Sequence, residues 1–516
     1  MSSSNLNNTT RNVIPRWRGF NETLSLGELS PITNKKAIVQ SDFIDSIQHQ
    51  QKIFDWKINK TISTAIELLN SSYIVDDDAS LFETASFLKS GKLNISPSIK
   101  HFSNNILIVN PLKIEGEPNT SFEKLGSIIG QLIKKFRQSV SNNPNNPISW
   151  LELARLYLII GKEQAAERCI AVGLQLAPDN RYVSRVVSRY FTHSGDFKMA
   201  RKVLKLNPAF SFDPWLISAD IGISTLDNKS SFHIKRGLEL TNSKNYSPYE
   251  LNELFSALAT QELYAGSVKN SRKLYNYSLI SPNDNSLAQA VWAKPQVSDL
   301  NLTQATFEKV SHISEAKAYF YFNNKQWNQA YSNTIQWFID QPFSRDPAGF
   351  GSFIASSILE NYDDAIKICK YGLKATPGDF TLMNNMAFSY LKQDEPEKAQ
   401  SIINRINIQN LNDREKVIYS ATKGLLMYKL GYTENGERLY NEASQQADKI
   451  KDKKLKFLAD FHHLSIQLEY EDFPAYQLSK IDKLAEELKA LKEEYLNVLV
   501  NNLKNRIELF KNKLIL

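Results

Sequence analysis

Seven times along the chain, two residues stand twelve positions apart inside amphipathic helix patterns, and thirteen of the fourteen are small. The pairs are Ala154/Ala166, Ser188/Ala200, Ala259/Ser271, Ala318/Ala330, Phe353/Ala365, Ala387/Ala399 and Gly424/Gly436, with Phe353 the exception. Small side chains at this spacing let the two antiparallel helices of a hairpin approach closely. Hairpins stacked in series then bury a continuous core between neighbours, so 516 residues need no single large core. The spacing predicts an all-α fold of serial helix hairpins.

The clearest unit runs from Pro147 to Asp179. Trp150, Leu153, Ala154 and Tyr157 share one face of a first helix, Gly161 makes the turn, and Ala166, Ile170 and Gly173 line a second helix. Pro178 stops it, because proline cannot donate to the helix ladder. The next unit repeats at an offset of 34 residues, from Gly161 to Gly195 and from Ala166 to Ala200. This pattern resembles the tetratricopeptide repeat, whose period is about 34 residues. The same register recurs at 252–285, 311–345, 346–378, 380–411 and from Val417 onward.

The resemblance spans residues 121–450 and implies a right-handed α-solenoid. Around it we expect a flexible N-terminal segment at 1–40, a non-repeat, mostly helical region at 41–120, and C-terminal capping helices at 451–516. Within 41–120 the run Asn105–Asn110 is strand-like, though too short to decide. After Pro474, residues Ile481, Leu484, Leu488, Leu491, Tyr495 and Val498 follow coiled-coil spacing. The seam meets Asn502 and shifts to Leu499, Leu503, Ile507, Phe510 and Leu514. A long helix of this kind either caps the last repeat or mediates self-association.

Composition narrows the function classes. Hydrophobic content of 42% and charged content of 23% are ordinary for a folded globular chain. The net charge of +7 is diluted over a long chain, so it permits an acidic partner without demanding one. No apolar run approaches the roughly 18–20 residues of a membrane span, and Met1 is followed by polar residues rather than a secretory signal. The expectation is a cytoplasmic protein that does not enter a membrane. Cys169 and Cys369 fall in equivalent second helices far apart, which predicts two reduced packing residues.

The sequence carries no phosphate-binding loop, zincin helix or EF-hand loop, and Gly349-Phe350-Gly351 is only a fragment of a glycine loop. His462 and His463 diverge by about 100° on a helix and suit packing better than a shared metal. Asp76-Asp77-Asp78 suits the electropositive start of a helix. We therefore expect no catalytic residues, no metal and no cofactor.

The resemblance also implies a partner-binding surface, because first helices of such repeats line a concave groove. Arg155, Arg185 and Arg189 fall at groove positions and would suit carboxylates or phosphates, unless they pair with nearby acids such as Glu152. Further along, the groove positions turn aromatic and polar: His312, Tyr319, Phe322, Phe350, Asn384, Asn385, Phe388 and Lys392. That surface suits a peptide or helix with apolar anchors. The Lys and Asn clamp of chaperone-tail binders is absent. Trp17, between Arg16 and Arg18, is a further candidate anchor, either for a partner or for the chain's own solenoid.

The main expectation is a non-enzymatic scaffold binding a protein partner. The chain is similar to bacterial repeat proteins of unassigned role, some of which stand beside a nuclease or other effector in antiphage systems. The alternative is a nucleic-acid-binding helical repeat, favoured by the charge and the arginines.

Overall fold

The computed structural model describes residues 46–75, 77–90, 122–227, 233–243, 245–308, 313–470, 475–491 and 494–514, with isolated positions between 93 and 107 and at 310. Every regular element among the described residues is helical. The chain divides into two compact units: Met1–Phe320 with Ile339–Phe343, and Tyr321–Phe338 with Ser344–Leu516.

In the first unit, α1 (Ser46–Ile58), α2 (Ile62–Val75) and α3 (Asp78–Ser90) close around Trp56, Leu68, Leu81 and Leu88. Ile106 joins this core and is helical, as is Leu107, so the apolar run at 105–110 is not a strand where it is described. Next come α4 (Phe122–Asn142), the hairpin α5 (Pro147–Ile159)/α6 (Glu163–Leu176) and the hairpin α7 (Arg181–His193)/α8 (Phe197–Leu206). They are followed by α9 (Pro214–Leu226), α10 (Ile234–Thr241), the hairpin α11 (Pro248–Tyr264)/α12 (Val268–Ser278), α13 (Asp284–Ala293) and α14 (Gln304–Glu308).

Two helices, α15 (Ser314–Asn323) and α16 (Trp327–Asp340), contribute residues to both units. The second unit continues with α17 (Arg345–Phe353), which runs into a π turn at Ile354–Ile358, and α18 (Tyr362–Ala375). The hairpins α19 (Phe380–Lys392)/α20 (Pro396–Ile403) and α21 (Asp413–Lys429)/α22 (Thr433–Lys449) follow. Then come α23 (Lys453–Tyr470), α24 (Ala475–Leu491) and α25 (Glu494–Leu514).

Local chemistry explains where these helices begin and turn. Asn146 and Asn180 cap α5 and α7 with side-chain oxygens, and Ser247 with Glu250 forms a capping box on α11. Gly161 and Gly195 end first helices at φ 76° and 84°, a conformation that glycine adopts without penalty. Lys325, Glu360 and Asp394 hold the same left-handed conformation at the corresponding turns of later repeats, at φ 62°, 52° and 57°.

The small-residue pairs lie where the hairpins close. Every alanine and serine of the seven pairs is fully buried. At Gly436 an added Cβ would stand 2.5 Å from the Tyr428 ring and 3.0 Å from the Gly424 carbonyl oxygen. Gly436→Val is therefore expected to destabilise the second unit by about 1–3 kcal/mol through overpacking. Gly130→Ala, with nothing within 4 Å of the added carbon, serves as the neutral control. Equal thermal midpoints for the two variants would mean that the α21/α22 hairpin is not this close.

Phe353 breaks the small-residue rule because of the π turn. Leu359 N donates to the Ile354 carbonyl and Asn361 N to the Ala355 carbonyl, so one extra residue enters the turn. The register slips, and Gly351 and Ser352 take the close position. An added Cβ on Gly351 would stand 2.6 Å from Ile368, and Ser352 meets the Cys369 thiol.

Candidate functional site

The sequence-predicted site residues fall into different units, and each unit is described by itself. Arg155, Arg185, Arg189 and Tyr319 belong to the first, and Phe322, Asn384, Asn385 and Phe388 to the second. Trp17 and His312 lie outside the described residues.

In the first unit the three arginines are 2%, 6% and 1% exposed and are engaged by the chain itself. Arg155 Nη2 donates to Glu152 Oε2 at 2.8 Å, and its Nη1 donates to the Ile339 carbonyl at 2.7 Å. Arg189 Nη2 donates to Gln341 Oε1 at 2.6 Å. Arg185 Nη2 donates to Glu253 Oε1 at 2.5 Å, and the same carboxylate receives Asn283 Nδ2 at 2.6 Å and Asn285 Nδ2 at 3.1 Å. Arg181 donates to Asp213, the cap of α9, and both Arg181 and Arg185 lie over the Trp215 ring.

The first-helix face here is thus filled by the segment Ile339–Phe343 and by a run of buried ion pairs. Phe343 completes the fill: it packs among Leu158, Tyr190 and Val203, with its ring 5.0 Å from His193. Of the two readings of the arginines, the geometry matches engagement by the chain itself, through acids for Arg155 and Arg185 and through the Gln341 amide for Arg189. Glu152 was legible as a neighbour. Glu253 sits at a groove position of its own repeat, so the register alone could have pointed to it. Gln341 and the Ile339 carbonyl had no sequence signal. Tyr319 packs against the core formed around α13, with Ala316 and Phe307.

The second unit carries the aromatic face. Phe322 gathers Trp327 and Phe350 at 5.1 Å each, Phe353 at 6.3 Å and Tyr495 at 5.8 Å. Tyr495 belongs to α25, which also buries Leu496, Leu499, Val500 and Leu503 in one core with Ile358, Phe457 and Phe461. The C-terminal helix α25 thus packs on first-helix residues of α15 and α17 and on α23, and α23 itself packs on the hairpin α21/α22.

Around it, Asn385 Nδ2 donates to Ser352 Oγ at 2.8 Å, tying α19 to α17. Asn384 is buried, and its Oδ1 receives no hydrogen bond from the described residues. Phe388 meets the edge of His462 at 5.4 Å. Burial, and then Lys392, push the His462 imidazole down to about 4. Burial and Lys480 lower His463 to about 4 as well, against a smaller opposing pull from Asp460. His463 stacks on Tyr440 at 4.8 Å and meets the Tyr428 hydroxyl at 3.2 Å, so the two histidines pack rather than share a ligand.

One cluster that sequence spacing did not reveal is His49, whose Nδ1 meets Ser71 Oγ at 2.7 Å and whose Nε2 meets Asp77 Oδ2 at 3.0 Å. Its composition is that of a nucleophilic triad. Ser71, however, is 1% exposed inside α2, out of reach of a substrate carbonyl, and the three groups serve to fasten α1 to α2. Cys169 and Cys369 are free, buried thiols that burial raises to about 11 and about 12, which suits packing and not nucleophilic chemistry. Among the described residues no group of three or more His, Cys, Asp or Glu side chains could hold a metal ion, and no helix is long and apolar enough to cross a membrane.

Hairpins closed by small residues, turned by left-handed residues and recurring in series, at 34 residues where neighbouring units are most regular, define a helical-repeat protein. Residues 135–168 and 359–417 match the tetratricopeptide repeat family, so the chain carries tetratricopeptide repeats in those two stretches. No curated protein matches it. Among solved structures it is similar to yeast Tom70, at 12% identity and a TM-score of 0.32 over 87% of this chain and 96% of that one. It is also similar to the APC/C hetero-tetramer Cut9–Hcn1, at 10% identity and a TM-score of 0.30 over 95% of this chain and 99% of that one. Likenesses this slight bear on neither arrangement nor function.

Proposed function

We propose that this chain is a non-enzymatic scaffold that binds a protein partner through the first-helix face of its second unit. The observation carrying this reading is that the face already accepts an amphipathic helix. Phe322 and Phe353 seat Tyr495, and the leucines of α25 fill the space beside them. A surface of aromatic pockets with amides beside them is the chemistry of helix-in-groove recognition. Buried arginines paired with carboxylates give little to a phosphate backbone, which weighs against the nucleic-acid reading. The finer reading, an accessory or regulatory subunit of a bacterial antiphage system holding a nuclease or other effector, rests on the sequence resemblance alone.

Affinity capture of the full chain from its native host, with nuclease added to the lysate, tests the proposal. The expected result is a protein partner that survives digestion and is lost when Phe322 and Phe388 become serine in a chain of unchanged helicity. A partner released by nuclease would replace this reading with nucleic-acid binding.

A further inference from the structure

We infer that α25 is a displaceable occupant of the first-helix face, standing where a partner's amphipathic helix with the same apolar spacing binds. The inference rests on the scaffold reading and names the partner's chemistry: an aromatic residue followed by aliphatic residues one and two helical turns on. In α25 this stripe is Tyr495, Leu499 and Leu503, flanked by Leu496 and Val500, all buried against the second unit. Residues at i, i+4 and i+8 lie on one helix face, so a second helix with this pattern meets the same pockets.

Three features of the contact make it one that opens. A gap beside the helix has a mixed lining, with Ser356, Ser357, Lys392, His462 and Asn502 standing among Phe388, Phe461, Leu499 and Leu503, so polar groups interrupt the apolar contact. Asn502 interrupts the apolar seam, and its Nδ2 reaches the exposed Glu360 Oε1 at 3.3 Å, a contact that water can replace. The wall that α25 lies against is the π turn Ile354–Ile358, whose hydrogen bonds run from Leu359 to Ile354 and from Asn361 to Ala355. Interrupted ladders of this kind recur at functional sites. Local opening costs less where polar groups and water-replaceable contacts interrupt an apolar interface.

Displacement has a quantitative signature. While α25 occupies the face, the apparent affinity for a competing helix is reduced by the fraction of molecules that are open. Weakening the cis helix raises that fraction and tightens binding in trans, with the pockets themselves unchanged.

The probe is a fluorescein-labelled peptide of residues 494–514, titrated with the full-length protein and followed by anisotropy. Leu499→Asp with Leu503→Asp in the protein, but not in the peptide, should tighten peptide binding about tenfold or more over wild type. Adding Phe322→Ser should remove the gain. If the double variant loses helicity, Tyr495→Ala replaces it, with a gain of about threefold expected. A folded variant that binds the peptide no more tightly than wild type overturns the inference. Concentration-dependent dimerisation of the opened variant, read by light scattering, would assign the face to a second copy of this chain and overturn the partner assignment. Failure of the peptide alongside capture of a protein partner that Phe322→Ser abolishes removes the displaced helix and leaves the scaffold reading standing.

Discussion

Replacing Arg155 by alanine is expected to lower the stability of the first unit by about 3–5 kcal/mol, because it strands the Glu152 carboxylate without its partner. Glu152 is fully buried, and Arg155 is the group that meets Oε2 through both Nε and Nη2. The same side chain also satisfies the Ile339 carbonyl, so the segment Ile339–Phe343 loses an anchor. Burial alone would pull the guanidinium's pKa down. The Glu152 carboxylate and its hydrogen bond, with a further contribution from Asp340, hold it above the ordinary arginine value.

Hydrogen exchange within α5 and α7 is the proper measurement, since a chain of two units need not unfold in one step. Glu152→Gln with Arg155→Met removes both charges and should recover much of the loss. Changing Arg155, Arg185 and Arg189 together to glutamate places three carboxylates beside Glu152, Asp340 and Glu253, and should unfold the unit. A triple variant with an unchanged thermal midpoint would show that these side chains face solvent and are free for a partner.

Acid is expected to weaken the second unit well before its carboxylates titrate. His462 and His463 both titrate at about 4 in the folded protein, against an unfolded value near 6.5. Above the unfolded value both states hold these rings neutral, and stability is at its full level. As pH falls from about 6.5 toward 4, the unfolded chain takes up protons that the folded chain refuses, so stability declines across that window and levels off below it.

Each of these partly buried histidines gives a slope of at most about 1.4 kcal/mol per pH unit. The groups facing the pair keep their sense: Lys392 and Lys480 resist protonation and Asp460 favours it only in part. His462→Gln with His463→Gln should flatten the dependence of hydrogen exchange in α19 and α23 between pH 6.5 and 4. A profile equally steep in the double variant would place the acid sensitivity elsewhere.

The hairpins were legible in the sequence because their determinants are local. A small residue, a left-handed turn and a second small residue twelve positions on lie within one hairpin, as Ala154, Gly161 and Ala166 illustrate. The capping residues Asn146, Asn180 and Asp213 are equally local. Phe353 was visible as an exception but not explained, because an extra residue inside a helix leaves no mark on composition and only the hydrogen-bond pattern reveals the π turn. The apolar seam of α25 could also be read, though not the surface it meets.

The long-range partners of the arginines were decided by tertiary structure. Arg185 finds Glu253 at a separation of 68 residues, Arg189 finds Gln341 at 152, and Arg155 finds the Ile339 carbonyl at 184. A repeat pattern specifies the face on which each arginine stands and is silent on what crosses that face. Periodicity records a residue's direction from its own helix axis, whereas burial depends on everything else the chain lays against that side. For Arg155, Arg185 and Arg189 the sequence by itself determined the direction. The approach of Ile339–Phe343 and of the acids turned a candidate binding surface into interior.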